Sequence, residues 1–249
     1  MEESIRRFLQ DTIFMRDIKC LFCGEELFKD SKYCICDDCL SKLPFISGKV
    51  CKHCGEPIES LAEYCMQCKS HIDRGFDKAR AVFLYKDQIK KAIQDFKFYN
   101  KRYLGEYLSY FLLDLYVKEN LNCNLVIPAP ISQKGMKVRG YNQTDLLCKA
   151  FVDFGLPFDN TCIVKHLETA HQVGLGYKER QTNLIGAFKV VNKSAVKGKK
   201  ILLVDDIFTT GATASEISST LKKAGANEVN VITLCHEMPE NRKNWKIMS

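Results

Sequence analysis

Residues 201–213 read ILLVDDIFTTGAT, which is four apolar residues, two acids, and then a short polar loop with one glycine. An uninterrupted apolar run of this length predicts a strand that is buried on both faces of a sheet. That strand would carry Asp205 and Asp206 to its carboxyl end, which is where ligands bind in open α/β sheets. The stretch therefore predicts both the class of fold and the position of a site.

The polar loop at 209–211 runs into a helix predicted over 214–224. Thr213 and Glu216 have the spacing of a capping box, and Gly225 marks the predicted helix end. Backbone N–H groups at a helix N-terminus bind anions, while adjacent acids accept hydrogen bonds from sugar hydroxyls and help to hold Mg²⁺. The arrangement predicts a site for a ribose 5-phosphate.

Two other nucleotide-binding patterns do not fit the sequence. A Walker B strand also ends in paired acids, but no GxxxxGK[ST] sequence occurs in the chain. Gly174 and Gly176 form a GxG, but Glu179 stands where a dinucleotide-binding motif has its third glycine.

From residue 79 onward the chain alternates between predicted strands and helices. Strands are predicted at 79–85, 125–128, 162–165, 188–191 and 229–235, and helices at 88–103, 105–118 and 144–154. Such alternation is typical of an α/β domain with an open, mostly parallel sheet and helices on both faces.

Nine of the 13 cysteines lie between Cys20 and Cys68, where four CxxC pairs occur. Two CxxC turns bring four sulfurs together and complete a closed tetrahedral site, which favours structural zinc over redox-active thiols or an iron–sulfur cluster. Sequential pairing predicts two Zn²⁺ sites, with ligands Cys20, Cys23, Cys36 and Cys39 in the first and Cys51, Cys54, Cys65 and Cys68 in the second. Interleaved pairing, or Cys34 in place of Cys36, is the alternative.

The 249 residues divide by composition into four segments. We predict an amphipathic helix at 1–19, a double zinc-ribbon module at 20–74, the α/β domain at 75–236 and a polar tail at 237–249. The first helix either packs on its own protein or touches a membrane surface through Arg6, Arg7 and Arg16. No apolar run is long enough to cross a bilayer and no signal peptide is evident, which predicts an intracellular protein.

The formal net charge is +7, and residues 76–249 carry 26 Lys and Arg against 17 Asp and Glu. This basic balance suits phosphate or nucleic-acid partners, and ordinary solvated lysines are the alternative. The stretch 90–103 interleaves bases with aromatics, as in proteins that hold single strands by stacking. Its candidate contacts are Lys97, Phe98, Lys101 and Arg102. The alternative is a basic helix edge with core aromatics.

The string 201–213 resembles the PRPP-binding signature of type I phosphoribosyltransferases at every position. The resemblance implies PRPP bound with Mg²⁺, and a second loop at 132–139 that cradles pyrophosphate. The residues expected to bind PRPP are Asp205, Asp206, Phe208, Thr209, Thr210, Gly211, Ala212, Thr213, Ser132, Lys134, Arg139 and Arg180. If a transfer reaction takes place, Asp205, Asp206 and Arg139 are the expected catalytic residues.

The sequence Arg139-Gly140-Tyr141-Asn142-Gln143 and the loop 169–188 resemble two signatures of the ComF family of competence proteins, whose members also carry N-terminal CxxC ribbons. His166 departs from the pattern, since relatives often have arginine near this position. The resemblance implies a cytoplasmic protein of natural transformation that handles incoming single-stranded DNA at the inner membrane. The implied partners are a ComFA-type helicase, the ComEC channel and DNA-processing proteins.

Three functions follow from these observations. The first is a ComF-type protein that binds PRPP with Mg²⁺ and engages single-stranded DNA. The second is a metabolic phosphoribosyltransferase acting on a nucleobase, although only 36 residues follow Thr213 to build a hood over a base. The third is a non-catalytic zinc-ribbon adaptor. The sequence leaves open whether a reaction occurs, because a transferase fold can persist as a binding module.

Overall fold

The computed structural model describes residues 19–27, 31–58, 62–70, 74–168 and 184–238. The chain forms two compact units, Met1–Leu43 and Pro44–Ser249. The predicted N-terminal helix, most of the loop at 169–188 and nearly all of the polar tail lie outside the described residues. The predicted domain boundary at residues 74 and 75 falls inside the second unit.

The first unit is a small zinc ribbon. Lys19 and Glu26 form an antiparallel bridge across a turn in which Gly24 has a φ of +77°. A short helix, α1 (Asp37–Ser41), begins at Cys36, whose Sγ accepts a hydrogen bond from the Cys39 N–H at 3.4 Å. The turn and the helix face each other and carry four of the five cysteines of the unit.

The second unit contains the second zinc ribbon and the α/β domain. Its helices among the described residues are α2 (Met66–Ser70), α3 (Asp87–Phe98), α4 (Tyr103–Lys118), α5 (Gln133–Arg139), α6 (Gln143–Leu147), α7 (Lys149–Asp153), α8 (Lys193–Val196) and α9 (Ala212–Lys223). Its strands are β1 (Lys78–Leu84), β2 (Leu125–Pro128), β3 (Ile163–Lys165), β4 (Phe188–Val190), β5 (Lys200–Phe208) and β6 (Glu228–His236). No helix in the described parts of the chain combines the length and apolarity needed to span a bilayer.

Four of these strands form one parallel sheet in the order β1-β6-β5-β2. The two central strands lie in the core, where Ile201, Leu203, Val229 and Val231 are fully buried between the helical layers. Strands β3 and β4 form a separate antiparallel pair. The predicted class, an α/β domain with an open, mostly parallel sheet, is confirmed.

Strand β5 is longer than predicted. Its pairing with β6 continues from Lys200 to Phe208, which pairs with His236, so that both acids belong to the strand and not to the loop after it. Because successive side chains of a strand point to opposite faces, Asp205 and Asp206 have different surroundings.

Several helix boundaries also differ from the predictions. Helix α3 ends at Phe98 because Asn100 has a φ of +55°, which breaks the helical path before α4. The segment expected as a pyrophosphate loop is the short helix α5, capped by Ser132 and ended by Gly140 at φ +72°. The helix expected over 144–154 is split at Cys148. These differences arise from local turns that carry no apolar periodicity.

Candidate functional site: zinc ribbons and an acidic strand end

The cysteines group as the sequential pairing predicts. Cys20, Cys23, Cys36 and Cys39 form one cluster, and Cys51, Cys54, Cys65 and Cys68 form another, with all four sulfurs of each cluster within 4.8 Å of one another. Cys34 takes no part, since its thiol donates to the Lys19 carbonyl at 3.5 Å.

The sulfur spacing fits zinc. In a tetrahedral site with Zn–S bonds of about 2.3 Å, the sulfurs lie about 3.8 Å apart. Cys23 and Cys36 Sγ are 3.7 Å apart, and Cys54 and Cys65 Sγ are 3.6 Å apart. Both clusters therefore suit structural Zn²⁺, with no ligand position left open for catalysis.

The two clusters differ in their surroundings. In the first, Cys23 is exposed and Cys36 half-buried. In the second all four cysteines are buried and belong to the same hydrophobic core as Ile201 and Val231 of the sheet. We conclude that the second ribbon is part of the α/β core of its unit.

The acid at position 206 is buried and held by two partners. Its Oδ1 accepts from the Lys97 ammonium at 2.8 Å, and its Oδ2 accepts from the Gln143 side-chain amide at 3.0 Å. Lys97 was predicted to contact nucleic acid, but the structure turns it inward to this carboxylate. Asp206 is therefore a charge-balanced anchor that joins the end of α3 to β5.

Gln143 extends the network to Arg139. The Arg139 guanidinium donates to Gln143 Oε1 at 2.7 Å and stacks over the Phe98 ring at 5.5 Å. The predicted motif at 139–143 thus has a physical role, because Gln143 links the Arg139 guanidinium to the Asp206 carboxylate. Sequence analysis places Gln143 in the 139–143 motif but gives it no role, because no residue spacing reveals an amide that bridges two charged side chains.

Asp205 lies on the other face and is half-buried. Burial, followed by repulsion from the neighbouring Asp206 carboxylate, raises the pKa of Asp205 to about 7. Lys97 and Lys165 counter this shift, and burial lowers the pKa of Lys165 itself. At neutral pH a cation or a hydroxyl donor would interact favourably with this carboxyl group.

The predicted phosphate loop lies directly after β5. Helix α9 begins at Gly211, which has a φ of +77° and no side chain to cap the first turn. The predicted capping box is therefore wrong, and Glu216 instead accepts from the Gly186 N–H at 2.8 Å. Thr210 Oγ1 accepts from the Ala212 N–H at 3.3 Å, so hydroxyls and amides of the loop are gathered at one helix end.

The segment 132–139 presents its cations differently from a loop. Ser132 caps α5 through the Gly135 N–H at 3.1 Å, and the Lys134 N–H donates to Glu168 Oε1 at 2.9 Å. That hydrogen bond is the main cause of a lowered pKa at Glu168. Lys134 is exposed. Arg180, also predicted to bind PRPP, lies outside the described residues.

An aromatic and basic surface adjoins this network, and we call it the Phe98 patch. Phe98, Tyr99 and Tyr103 are 67%, 71% and 52% exposed. Arg102 stacks over the Tyr141 ring at 4.5 Å, while Lys101 pairs with Asp95 at 2.7 Å. Three of the four predicted nucleic-acid residues, Phe98, Lys101 and Arg102, lie on this patch, and Lys97 lies beneath it.

Two protein-family models match parts of this chain. The double zinc ribbon domain family matches residues 9–69, and the phosphoribosyl transferase domain family matches residues 164–248. Hypoxanthine phosphoribosyltransferase from Staphylococcus aureus is a structural neighbour, with a TM-score of 0.35 and 18% identity over 60% of this chain and 70% of that one.

Similar sequences also cover most of the chain. Competence protein F of Haemophilus influenzae is 31% identical, covering 86% of this chain and 95% of that protein. Competence protein ComFC of Streptococcus pneumoniae is 29% identical, covering 87% and 99%. DNA utilization protein YhgH of Escherichia coli is 28% identical, covering 80% and 96%.

Fold and site together define a double zinc-ribbon protein with a phosphoribosyltransferase-like α/β domain. The chain belongs to the ComF family of competence proteins, as the resemblance at residues 139–143 and 169–188 implies.

Proposed function

We propose that this protein binds PRPP with Mg²⁺ at the end of β5 and handles single-stranded DNA on the Phe98 patch during DNA uptake. The observation that carries the proposal is the acid pair at a parallel strand end, followed directly by an uncapped helix N-terminus. The names of its relatives, which refer to competence and DNA utilization, favour the same context.

The two acids would have different tasks in ligand binding. Asp206 already accepts hydrogen bonds from the Lys97 ammonium and the Gln143 amide, so its role would be to hold these side chains in place. The half-buried Asp205 would accept hydrogen bonds from the ribose hydroxyls and would help to bind Mg²⁺. The 5-phosphate would rest on the amides and hydroxyls of residues 209–213, where the positive end of the α9 dipole favours an anion.

The pyrophosphate would lie on the side of Arg139. A guanidinium held by Gln143 offers its remaining N–H groups in a planar fork that matches phosphate oxygens. Ser132 and Lys134 stand near the start of α5, where Glu168 now accepts the Lys134 N–H. A bound pyrophosphate would replace that carboxylate, since two anions cannot share the same donor.

Calorimetric titration of Mg²⁺ and PRPP tests this proposal. We expect the wild type to bind and Asp205→Asn to lose at least tenfold in affinity, because the hydroxyl acceptor and metal partner loses its charge. Asp153→Asn is the matched control, since Asp153 forms an exposed pair with Lys149 on α7. The absence of wild-type binding, or equal loss in both variants, would contradict the proposal.

Single-stranded DNA would stack on the exposed rings of the Phe98 patch while Arg102 and Lys101 follow its phosphates. Stacking contributes about 1–3 kcal/mol per base, so Phe98→Ala should weaken binding of a labelled oligothymidine about 5- to 100-fold in fluorescence anisotropy. Phe154→Ala is the control, because Phe154 is also exposed but lies at the end of α7. Equal affinities of the two variants would argue against the patch.

We further propose that the protein acts at the cytoplasmic side of the uptake machinery, with a ComFA-type helicase, a ComEC-type channel and DNA-processing proteins as partners. Peripheral contact with the inner membrane through residues 1–19 belongs to this proposal. Vesicle flotation with and without residues 1–19 tests that contact, and equal flotation would contradict it.

A further inference from the structure

A buried arginine joins the second zinc cluster to the phosphate loop. Arg74 is 5% exposed, and its Nη1 donates to Cys68 Sγ at 3.7 Å. Its Nη2 donates to the Thr210 carbonyl in the middle of the loop. One side chain therefore spans a zinc ligand and the segment proposed to hold the ribose phosphate.

Phe208, the last residue of β5, rests on the same arginine. The Arg74 guanidinium lies over the rings of Phe76 and Phe208, at 5.2 Å and 5.5 Å. Phe76 and Phe208 themselves meet edge to face at 5.9 Å, and the His236 ring stacks on Phe208 at 5.1 Å. A buried cation between two aromatic faces is held more firmly than an exposed one.

Gly211 shows how closely the arginine fits against the loop. A Cβ at this position would overlap the Arg74 guanidinium and would lie 2.5 Å from Phe208 Cζ. Gly211 also has a φ of +77°, which L side chains rarely adopt. The backbone at the start of α9 is thus shaped around Arg74, and the absence of a side chain at Gly211 serves this contact.

We propose that Arg74 is a positioning residue that fixes the phosphate loop to the second zinc cluster. Its guanidinium donates to the Thr210 carbonyl from the core side of the loop. The backbone N–H groups of residues 209–213 therefore stay directed toward the bound 5-phosphate. A zinc-bound thiolate at Cys68 gives the arginine a fixed, negatively charged anchor. This inference rests on the proposed function for its ligand, but the ordering of the loop can be measured without any ligand.

The test compares Arg74 with Arg80, an arginine of β1 that donates to a backbone carbonyl of the second ribbon. Arg80 donates to the Lys52 carbonyl and pairs with Glu119. Among the residues that the structure describes, it forms no hydrogen bond or ion pair with residues 208–211. Amide hydrogen exchange at residues 209–213 is measured in wild type, Arg74→Met and Arg80→Met, with zinc content checked in each. We expect at least tenfold faster exchange at 209–213 in Arg74→Met alone. Unchanged exchange in that variant would overturn the proposal.

A second readout uses the ligand. Arg74→Met should raise the Kd for Mg²⁺ and PRPP at least tenfold while two zinc ions remain bound, and Arg74→Lys should recover part of the affinity because one of the two hydrogen bonds can re-form. If Arg74→Met loses zinc, Arg74→Lys is compared with Arg80→Lys in its place. If the wild type binds no PRPP, the proposed function fails, and the exchange result still decides the role of Arg74. Wild-type affinity in both Arg74 variants would count against it.

Discussion

The Lys97 ammonium lies 2.8 Å from the Asp206 carboxylate, across 109 positions of sequence. The side chains are 17% and 6% exposed, so the pair is largely removed from water. It closes the C-terminal end of α3 onto the end of β5, where the ribose is proposed to bind. The contact joins the outer basic surface to the inner acids through one residue, because Phe98 follows Lys97 directly and points outward.

Removing the lysine should destabilise the fold. Lys97→Met leaves the buried Asp206 charge with only the Gln143 amide, and loss of one partner of a buried pair costs about 3–5 kcal/mol. We expect urea unfolding at neutral pH to show a loss of this order. Lys101→Met is the control, since its pair with Asp95 is more exposed and should contribute less than about 1 kcal/mol. Comparable losses in the two variants would contradict the assigned role of Lys97.

Asp205 predicts a pH dependence of stability. Because its pKa in the fold is raised to about 7, the folded state holds a proton that the unfolded chain releases at lower pH. Stability contributed by this group is therefore lost as pH rises from about 4 toward 7, by about 1.4 kcal/mol for each pKa unit at most. Asp205→Asn should then raise Tm at pH 8 by several degrees and leave it nearly unchanged at pH 4.5. A difference in Tm that is the same at both pH values would refute this account.

Gln143 should matter for ligand binding more than for folding. Gln143→Met cuts the link from Arg139 to Asp206 while preserving side-chain length, so Arg139 loses its fixed position. We expect about a tenfold weaker affinity for Mg²⁺ and PRPP in calorimetry, the effect of one lost hydrogen bond to a charged group. Gln88→Met, at the exposed start of α3, should bind like the wild type. Wild-type affinity in Gln143→Met would contradict the bridging role.

The two zinc clusters should differ in what their loss does. Cys65→Ser weakens the cluster that shares a core with the sheet, whereas Cys23→Ser weakens the exposed cluster of the first unit. Each variant should lose one equivalent of zinc. Thermal unfolding of the α/β domain, followed by near-ultraviolet circular dichroism, should move to lower temperature in Cys65→Ser by about 10 °C or more and hardly at all in Cys23→Ser. Equal shifts would contradict the core role of the second ribbon.

The apolar strand before Asp205, the zinc ligands and the parallel sheet could be predicted from the sequence because each of them has a local signal. Apolar runs, CxxC spacing and a small-residue loop can be recognised without knowledge of the rest of the chain. The extension of β5 to Phe208 depends on pairing with β6, which no single stretch contains. Helix α5 has no buried residues and includes Gly135, so neither apolar periodicity nor helix propensity predicts it from the sequence.

The long-range contacts of the site were not predictable in the same way. Lys97 has the same local setting as the neighbouring basic residues, and only the fold distinguishes the one that turns toward Asp206. Arg74 lies in a turn-rich segment with no pattern of its own, yet it reaches both Cys68 and Thr210. Roles that depend on the meeting of three distant segments become visible only in three dimensions.

A crystal structure of the protein with Mg²⁺ and PRPP tests the central claim most directly. The account predicts the ribose hydroxyls on the carboxylates at the end of β5 and the 5-phosphate on the amides and hydroxyls of residues 209–213. Density for the ligand elsewhere, or an empty crevice at saturating PRPP with the Thr210 and Gly211 amides turned away, would contradict it.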